Sequence, residues 1–259
     1  MYSFLFKIDK KSLTGVILAL AIGFSVHAMP QKISGKKAIP DTTLDACNVA
    51  WNTPGPGSAQ SMPLGNGDIG LNVWVEKSGD LVFYISKTDA WGGEPESQND
   101  PWMKQGGILM KLGAVRISVE KNPLTADTTF RQILKLRTGE ITIREGSGKN
   151  ILNYRVWVDA NHSAIHVEAN SSSAKTINIK LENWRAGLTD TILSDQKNRI
   201  TWYHHNSPTA DPHLANLTFG AIIKGNGLIN KDDATLYSAK ATTSQVISGA
   251  AGRCHRERR

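Results

Sequence analysis

The chain has 259 residues and a formal net charge of +7, most of which lies at its two ends. Residues 1–28 hold three lysines and one aspartate, and residues 253–259 hold four arginines and one glutamate, so residues 29–252 carry 23 basic and 21 acidic side chains, or +2. A body this close to neutral has no basic stripe for a phosphate backbone, which excludes a nucleic-acid partner from our expectations.

The N-terminus has the pattern of a secretory signal. Lysines 7, 10 and 11 form a basic start, and an uncharged apolar run of 14 residues follows at positions 13–26. Val26-His27-Ala28 offers small residues at the two positions that a signal peptidase reads. Because a membrane span needs roughly 20 apolar residues, we predict cleavage after Ala28, a periplasmic or extracellular location, and no membrane segment in the mature form.

Residues 29–46 are predicted to be a flexible lead-in, because they are polar, contain two prolines and show no apolar period. The chain has two cysteines, Cys47 and Cys254, and a disulfide between them is an open alternative. An exported protein with so few cysteines must rely on its core rather than on cross-links. We place the start of the folded domain at residue 47.

The chain is organised around a predicted β-hairpin. Apolar side chains recur at every second position in residues 69–75 and 81–85, which is the period of pleated strands. Residues 77–80 supply the turn. Because a hairpin brings its two ends together, we expect the loops at residues 65–68 and 88–93 to lie side by side.

A long loop is predicted at residues 92–107, and strand signals continue after it to residue 247. These predicted strands cover residues 108–112, 114–119, 130–136, 140–144, 152–158, 164–169, 177–181, 200–203, 217–223 and one or two segments of 235–247. No 3.6-residue apolar period lasts for three turns. The fold class predicted for residues 47–248 is therefore all-β, a large antiparallel sandwich of two sheets. Residues 249–259 form an atypical basic tail, expected to be either a disordered end or the result of an interrupted or misread chain.

Several segments resemble a known family. Trp51 and residues 61–70, followed by residues 88–93, resemble the start of the N-terminal β-sandwich domain of α-L-fucosidase-like glycoside hydrolases, family 95 and its relatives. They look still more like an uncharacterised domain family that opens exported bacterial proteins of that type. Residues 130–141 and 155–161 look like later blocks of the same domain.

The resemblance implies a supersandwich-like domain that packs against a downstream barrel of paired helices. In such enzymes the carboxylates that cleave the glycosidic bond lie in the barrel, and this sequence ends before one. The resemblance therefore implies a non-catalytic N-terminal domain that braces the barrel and lines its carbohydrate cleft. Two alternatives stay open: a free-standing carbohydrate-binding module, which a continuous tryptophan platform would favour, and a truncated product without function.

The loops of the hairpin carry the candidate site residues. Asp68 and Asp89 could stand at the separation of about 5 to 9.5 Å that glycoside hydrolysis needs, but aspartate in a glycine-rich turn more commonly caps backbone amides, so no catalytic residue is predicted. Trp91 and Trp102 could stack on a sugar ring, with nearby amides and carboxylates bonding to its hydroxyl groups. The predicted substrate-binding residues are Asn66, Asp68, Asp89, Trp91, Trp102, His204 and Asn206.

Histidines 204, 205 and 213 lie close to Asp211 and suggest a metal site. Their spacing matches no established zinc pattern. We therefore predict a polar loop at this place, with neither a metal nor a cofactor.

Overall fold

The computed structural model describes residues 41–92, 108–182, 190–194, 196–207 and 213–253. The predicted signal, Trp102, Asp211 and Cys254 lie outside the described residues. Cys47 is exposed and has no disulfide partner among the described residues, and a disulfide with Cys254 stays an open alternative. No helix in the described ranges is long and apolar enough to span a bilayer.

The described residues form sixteen strands, one six-residue helix and a short 3-10 turn, Ser58–Gln60. The elements are α1 (Asp41–Ala46), β1 (Val49–Trp51), β2 (Met62–Gly65), β3 (Ile69–Val75), β4 (Leu81–Gly92), β5 (Ile108–Val119), β6 (Phe130–Lys135), β7 (Glu140–Ser147), β8 (Asn150–Val158), β9 (Ala164–Lys175), β10 (Ile177–Glu182), β11 (Thr191–Ile192), β12 (Arg199–His205), β13 (Thr218–Gly225), β14 (Leu228–Asp232), β15 (Thr235–Ser238) and β16 (Ala241–Arg253).

The strands form two antiparallel sheets. Sheet A has nine strands in the order β1-β6-β7-β8-β9-β16-β13-β12-β11, and sheet B has seven in the order β14-β15-β10-β5-β4-β3-β2. The predicted fold class, an all-β sandwich of two antiparallel sheets, is confirmed.

The core lies between the inner faces of the two sheets. Alternate side chains of the longer strands are buried there, because successive residues of a strand point to opposite faces. Among the described residues, two buried hydrogen bonds cross between strands of the two sheets: the indole N–H of Trp202 donates to the carbonyl of Leu112 at 2.7 Å, and the amide of Gln132 donates to the carbonyl of Val73 at 3.3 Å. The sheets are thus joined by apolar packing and by buried hydrogen bonds.

The central hairpin forms as β3 and β4, in a register that runs from Val75 opposite Leu81 to Ile69 opposite Lys87. Its flanks differ from the prediction. Residues 62–65, which precede the turn that leads into β3, form the edge strand β2. An edge strand tolerates Pro63, because the proline nitrogen does not have to donate a hydrogen bond to a neighbouring strand. Strand β4 is also longer than expected, because it continues to Gly92 and includes most of the loop predicted at residues 88–93.

Strand β5 is continuous where two strands were predicted. Its pairing with β4 shifts between Ile85 and Ser86, so a bulge reverses the inward and outward alternation near Gly113. A side chain at Gly113 would place its Cβ 3.0 Å from the indole of Trp202. Glycine at this position makes room for the tryptophan. The bulge interrupts the alternation of apolar side chains, which is why the sequence predicted two strands instead of one.

Further segments outside the predicted strands also have regular structure, among them parts of the predicted tail and lead-in. Residues 249–253 were assigned to the basic tail, yet they belong to β16, which pairs with β13 as far as Arg253 opposite Thr218. Small residues such as Gly249 and Ala250 carry no apolar period, but their backbone completes the ladder of sheet A. Within the predicted lead-in, α1 is tied to the domain by an ion pair of 3.1 Å between Asp45 and Arg137.

Candidate functional site

The turn between β2 and β3 is built around Asn66. Its side-chain oxygen accepts the backbone N–H groups of Asp68 at 2.9 Å and Ile69 at 2.8 Å. Its amide nitrogen donates to the carbonyl oxygens of Asp159 at 2.8 Å and His162 at 3.2 Å. Asn66, a predicted substrate contact, thus uses its amide to shape this turn and to anchor it to the turn between β8 and β9.

Lys87 lies between two carboxylates at the open end of the β3–β4 hairpin. This hairpin end comprises residues 65–68 and 87–91. Its ammonium nitrogen is 2.8 Å from Oδ1 of Asp68 and 2.9 Å from Oδ1 of Asp89. The lysine side chain is 10% exposed, whereas those of Asp68 and Asp89 are 38% and 52% exposed. The expected approach of the two loop ends is therefore observed. Lys87 was not among the predicted site residues, because a lysine within a strand resembles an ordinary outward-facing residue.

The charges of this cluster stabilise one another. Hydrogen bonds from Lys87 and from the hydroxyl of Ser163, 2.5 Å away, hold the pKa of Asp68 below its usual value. Burial disfavours the charge on Lys87, but its bonds to Asp68 and Asp89 outweigh that effect and raise its pKa. A general acid of a glycosidase needs a carboxyl group that stays protonated. Asp68 is unsuited to that role.

The turn between β8 and β9 completes this end of the sandwich. Oδ1 of Asp159 accepts the backbone N–H groups of Asn161 at 2.8 Å and His162 at 3.0 Å, and it lies 2.9 Å from Nδ1 of His162. The bond from Asn161 is the largest cause of a lowered pKa of Asp159. The sequence predicted only a break between strands here. Asp159 precedes Asn161 and His162 by two and three residues, a spacing at which an aspartate commonly caps the backbone N–H groups of a turn.

Trp91 is the exposed aromatic side chain of this region. It is 40% exposed, and its indole N–H donates to the carbonyl of Thr88 at 2.7 Å. It lies in β4 opposite Leu109, beyond an irregular stretch that follows Ser86. The indole is held by its own strand, while much of its surface stays open to solvent. Trp102, the other predicted stacking residue, lies outside the described residues.

Asn206 and His204 are buried. Asn206 follows β12 and donates from its amide to the carbonyls of Trp91 at 2.7 Å and Leu214 at 2.8 Å. It therefore lies next to the hairpin end, where it holds the backbone of Trp91. Nδ1 of His204 is 3.2 Å from Oδ1 of Asp190, and both side chains are at most 5% exposed. The structure thus gives both predicted contacts positions in the interior.

The histidines near residue 205 do not converge. His204 and His205 are neighbours in β12, so their side chains point to opposite faces of sheet A, one buried and one exposed. His205 bonds through Nδ1 to the hydroxyl of Thr218 at 2.7 Å. Among the described residues, no group of three or more histidine, cysteine or acidic side chains could hold a metal ion.

A cavity of about 300 Å³ lies beside the hairpin end. Asp89 and Trp91 line one side, and His213, Leu214 and Leu217 line another. An exposed indole, a carboxylate and an imidazole around an apolar floor can hold a small ring with hydroxyl groups. His213 had appeared in the sequence only as part of the rejected metal pattern.

One family model matches the chain, over residues 50–206: a domain of unknown function, DUF5703, in its N-terminal part. A search of curated proteins found no match. The matched segment extends from β1 to the end of β12 and contains both turns of the hairpin end. The chain therefore belongs to the family of DUF5703 N-terminal domains.

Proposed function

We propose that this domain is the non-catalytic β-sandwich of an exported, glycoside hydrolase-like protein. In this role it braces a catalytic barrel of paired helices and contributes the hairpin end to the rim of a carbohydrate cleft. The resemblance of residues 61–70 and 88–93 to such proteins supports the proposal. So does membership in a family of N-terminal domains.

The observation that carries the proposal is the exposed face of Trp91 beside the carboxylate of Asp89. Sugar rings present C–H groups that pack on an indole, and their hydroxyl groups donate to carboxylates. The bonds from Trp91 to Thr88 and from Asn206 to the backbone of Trp91 hold the indole in place before a ligand arrives. A held aromatic side chain loses little entropy on binding.

The test is a binding titration of a panel of neutral oligosaccharides with the full chain and with Trp91→Ala. We expect affinity to fall about five- to tenfold in the variant, which corresponds to the loss of one aromatic contact. Leu136→Ala is the matched control, because Leu136 is 45% exposed and lies in the turn after β6. Unchanged affinity in Trp91→Ala would remove the support for a carbohydrate site at the hairpin end.

A second feature supports a partner domain. A groove of about 710 Å³ runs over the outer face of β12, β13 and β16, with Tyr203, Gly220, Ile222 and Gly249 in its wall. Apolar surface of this kind on a folded domain marks contact with another protein surface. The downstream barrel of the same polypeptide is the partner that the proposal assigns to it. Ile222→Glu should then weaken binding of a separately produced barrel from a longer family member, whereas Thr142→Glu, on the same sheet outside this groove, should not.

The alternative of a free-standing carbohydrate-binding module has less support from the described surface. Trp74 and Trp202 are buried, and Trp157 stacks on His166 with ring centroids 4.8 Å apart. The described tryptophans thus form no continuous platform on one sheet face. Export is tested separately by N-terminal sequencing of the mature protein, which should begin at Met29.

A further inference from the structure

Two arginines face each other on the outer side of sheet A. Arg131 of β6 and Arg144 of β7 are direct cross-strand partners, and both side chains are exposed. Like charges placed directly opposite on antiparallel strands destabilise a sheet. Breaks of such local rules are expected at functional sites.

Neither arginine has an acidic partner among the described residues. Arg131 makes a long contact of 3.5 Å with the side-chain oxygen of Asn52, and Arg144 makes one of 3.5 Å with that of Asn153. Both contacts are at the limit of a hydrogen bond. The two guanidinium groups therefore keep donor capacity for a ligand.

The neighbouring charges on the same face are neutralised within the protein. Glu140 is bonded to Arg155 and lies 3.0 Å from the ammonium of Lys135. Arg155 also lies over the ring of Trp157 at 4.4 Å and 3.9 Å from Glu168. The unpaired charge is thus confined to Arg131 and Arg144 and is not a general property of this face.

Both arginines line a groove of about 430 Å³ on the outer face of β6 to β9. Asn153, Asn170 and Glu168 lie on adjacent strands of the same wall. The amides supply donors and acceptors, and the carboxylate supplies acceptors. The wall therefore combines a cationic end with groups of mixed hydrogen-bonding character.

We propose that this groove binds an acidic glycan, with a carboxylate or sulfate group held between Arg131 and Arg144. Guanidinium groups bind both anions with two parallel hydrogen bonds. The amide and carboxylate groups of the wall bond to sugar hydroxyls, which both donate and accept. A DNA backbone fits less well, because its sugar and phosphate oxygens only accept hydrogen bonds and have no hydroxyl group to donate to Glu168. The inference does not depend on the function proposed for the Trp91 cavity.

The test is calorimetric titration of the full chain with three hexasaccharides: an oligogalacturonate, a sulfated galactan and a neutral galactan. We expect an acidic oligosaccharide to bind and the neutral one to bind at least about tenfold more weakly. The two acidic ligands distinguish a carboxylate from a sulfate site. In Arg131→Gln/Arg144→Gln the acidic ligand should lose at least about tenfold in affinity. The control Lys77→Gln/Lys180→Gln removes the same charge from the turn between β3 and β4 and from β10, and it should change affinity by less than about twofold.

A charge reversal separates binding from folding. Arg144→Glu places opposite charges on facing strands, so its melting temperature should equal or exceed that of the wild type while acidic-glycan binding is lost. A lower melting temperature would show that Arg144 holds the sheet itself and would overturn the proposal. Equal affinity for neutral and acidic ligands, no binding of either acidic ligand, full affinity in the arginine double variant, or equally tight binding of single-stranded DNA would also overturn it.

Discussion

Arginines on the outer faces of the two sheets have opposite surroundings, as Arg116 and Arg131 illustrate. On sheet B, Arg116 is 2.8 Å from Glu76, 3.1 Å from Asp80 and 2.7 Å from Glu182. The bond to Glu76 is the largest cause of a raised pKa of Arg116, and the other two carboxylates add to it. Arg131, on sheet A, faces another arginine.

The difference comes from the strand connections. The turn between β3 and β4 places Glu76 and Asp80 beside β5, and β10 brings Glu182 from the other side. No described acid reaches Arg131 or Arg144. The comparison teaches that the same side chain has a structural role where the topology supplies carboxylates and is available for a ligand where it does not.

If the two sheets share one core, they unfold together. Substitution of Trp202 tests this cooperativity. Trp202→Ala removes the largest fully buried side chain and its bond to Leu112, so we expect a loss of about 4 kcal/mol in the free energy of unfolding. Urea denaturation followed by circular dichroism measures it. Trp202→Phe, which keeps most of the volume, should cost less than half as much. A variant in which the two sheets unfold at separate midpoints would contradict a shared core.

Glu145 is a buried acidic side chain, and no cation is among the groups that shift its pKa. Burial raises its pKa to about 8, a bond of 3.0 Å from Asn122 opposes this, and nearby Asp80 adds to it. Tyr154 is the other buried titratable group beside it, with a raised pKa of the same main cause. A buried glutamate can become neutral by keeping its proton, whereas an arginine stays charged wherever it lies.

The expected consequence is a stability that falls with rising pH. Between the ordinary pKa of 4.5 and about 8, folded Glu145 holds a proton that the unfolded chain releases. This site should therefore lower the free energy of unfolding by about 1.4 kcal/mol per pH unit, or about 3 kcal/mol by pH 7. Glu145→Gln should remove that slope in urea denaturation between about pH 5 and about pH 8. An equal slope in the variant would contradict burial of the neutral acid.

The two arginine environments can be compared directly by matched substitutions. Arg116→Gln leaves three carboxylates facing one another, so we expect a loss of about 2 kcal/mol, between the values for surface and buried pairs. Arg144→Gln should change the free energy of unfolding by less than about 0.5 kcal/mol. Equal losses in urea denaturation would remove the distinction between the two faces.

The smallest expected effect concerns Lys87, a paired charge at the hairpin end. Lys87→Gln should cost about 1 kcal/mol or less, because Asp68 and Asp89 are partly exposed. The sharper measurement is the pKa of Asp68 by carboxyl NMR, which should rise when the ammonium is removed. Ser163→Ala should raise it by less, since Lys87 is the larger cause. No change in Lys87→Gln would contradict the observed pairing.

Part of the candidate site was predictable from the sequence. The hairpin and the approach of Asp68 to Asp89 followed from a two-residue alternation on either side of a turn. The contacts of Asn66 with Asp159 and of Asn206 with Trp91 span 93 and 115 residues. No local pattern reports contacts of that length, because they depend on which strands become neighbours.

The sequence by itself determined the all-β class, the central hairpin and the near neutrality of the body, because residue alternation and charge count are local properties. Only the tertiary structure decided that β16 enters sheet A between β9 and β13, that Glu145 is buried, and that Arg131 and Arg144 meet. Register and strand order decide these features. Both depend on pairing between distant segments, in which a shift by one residue would turn every side chain to the other face.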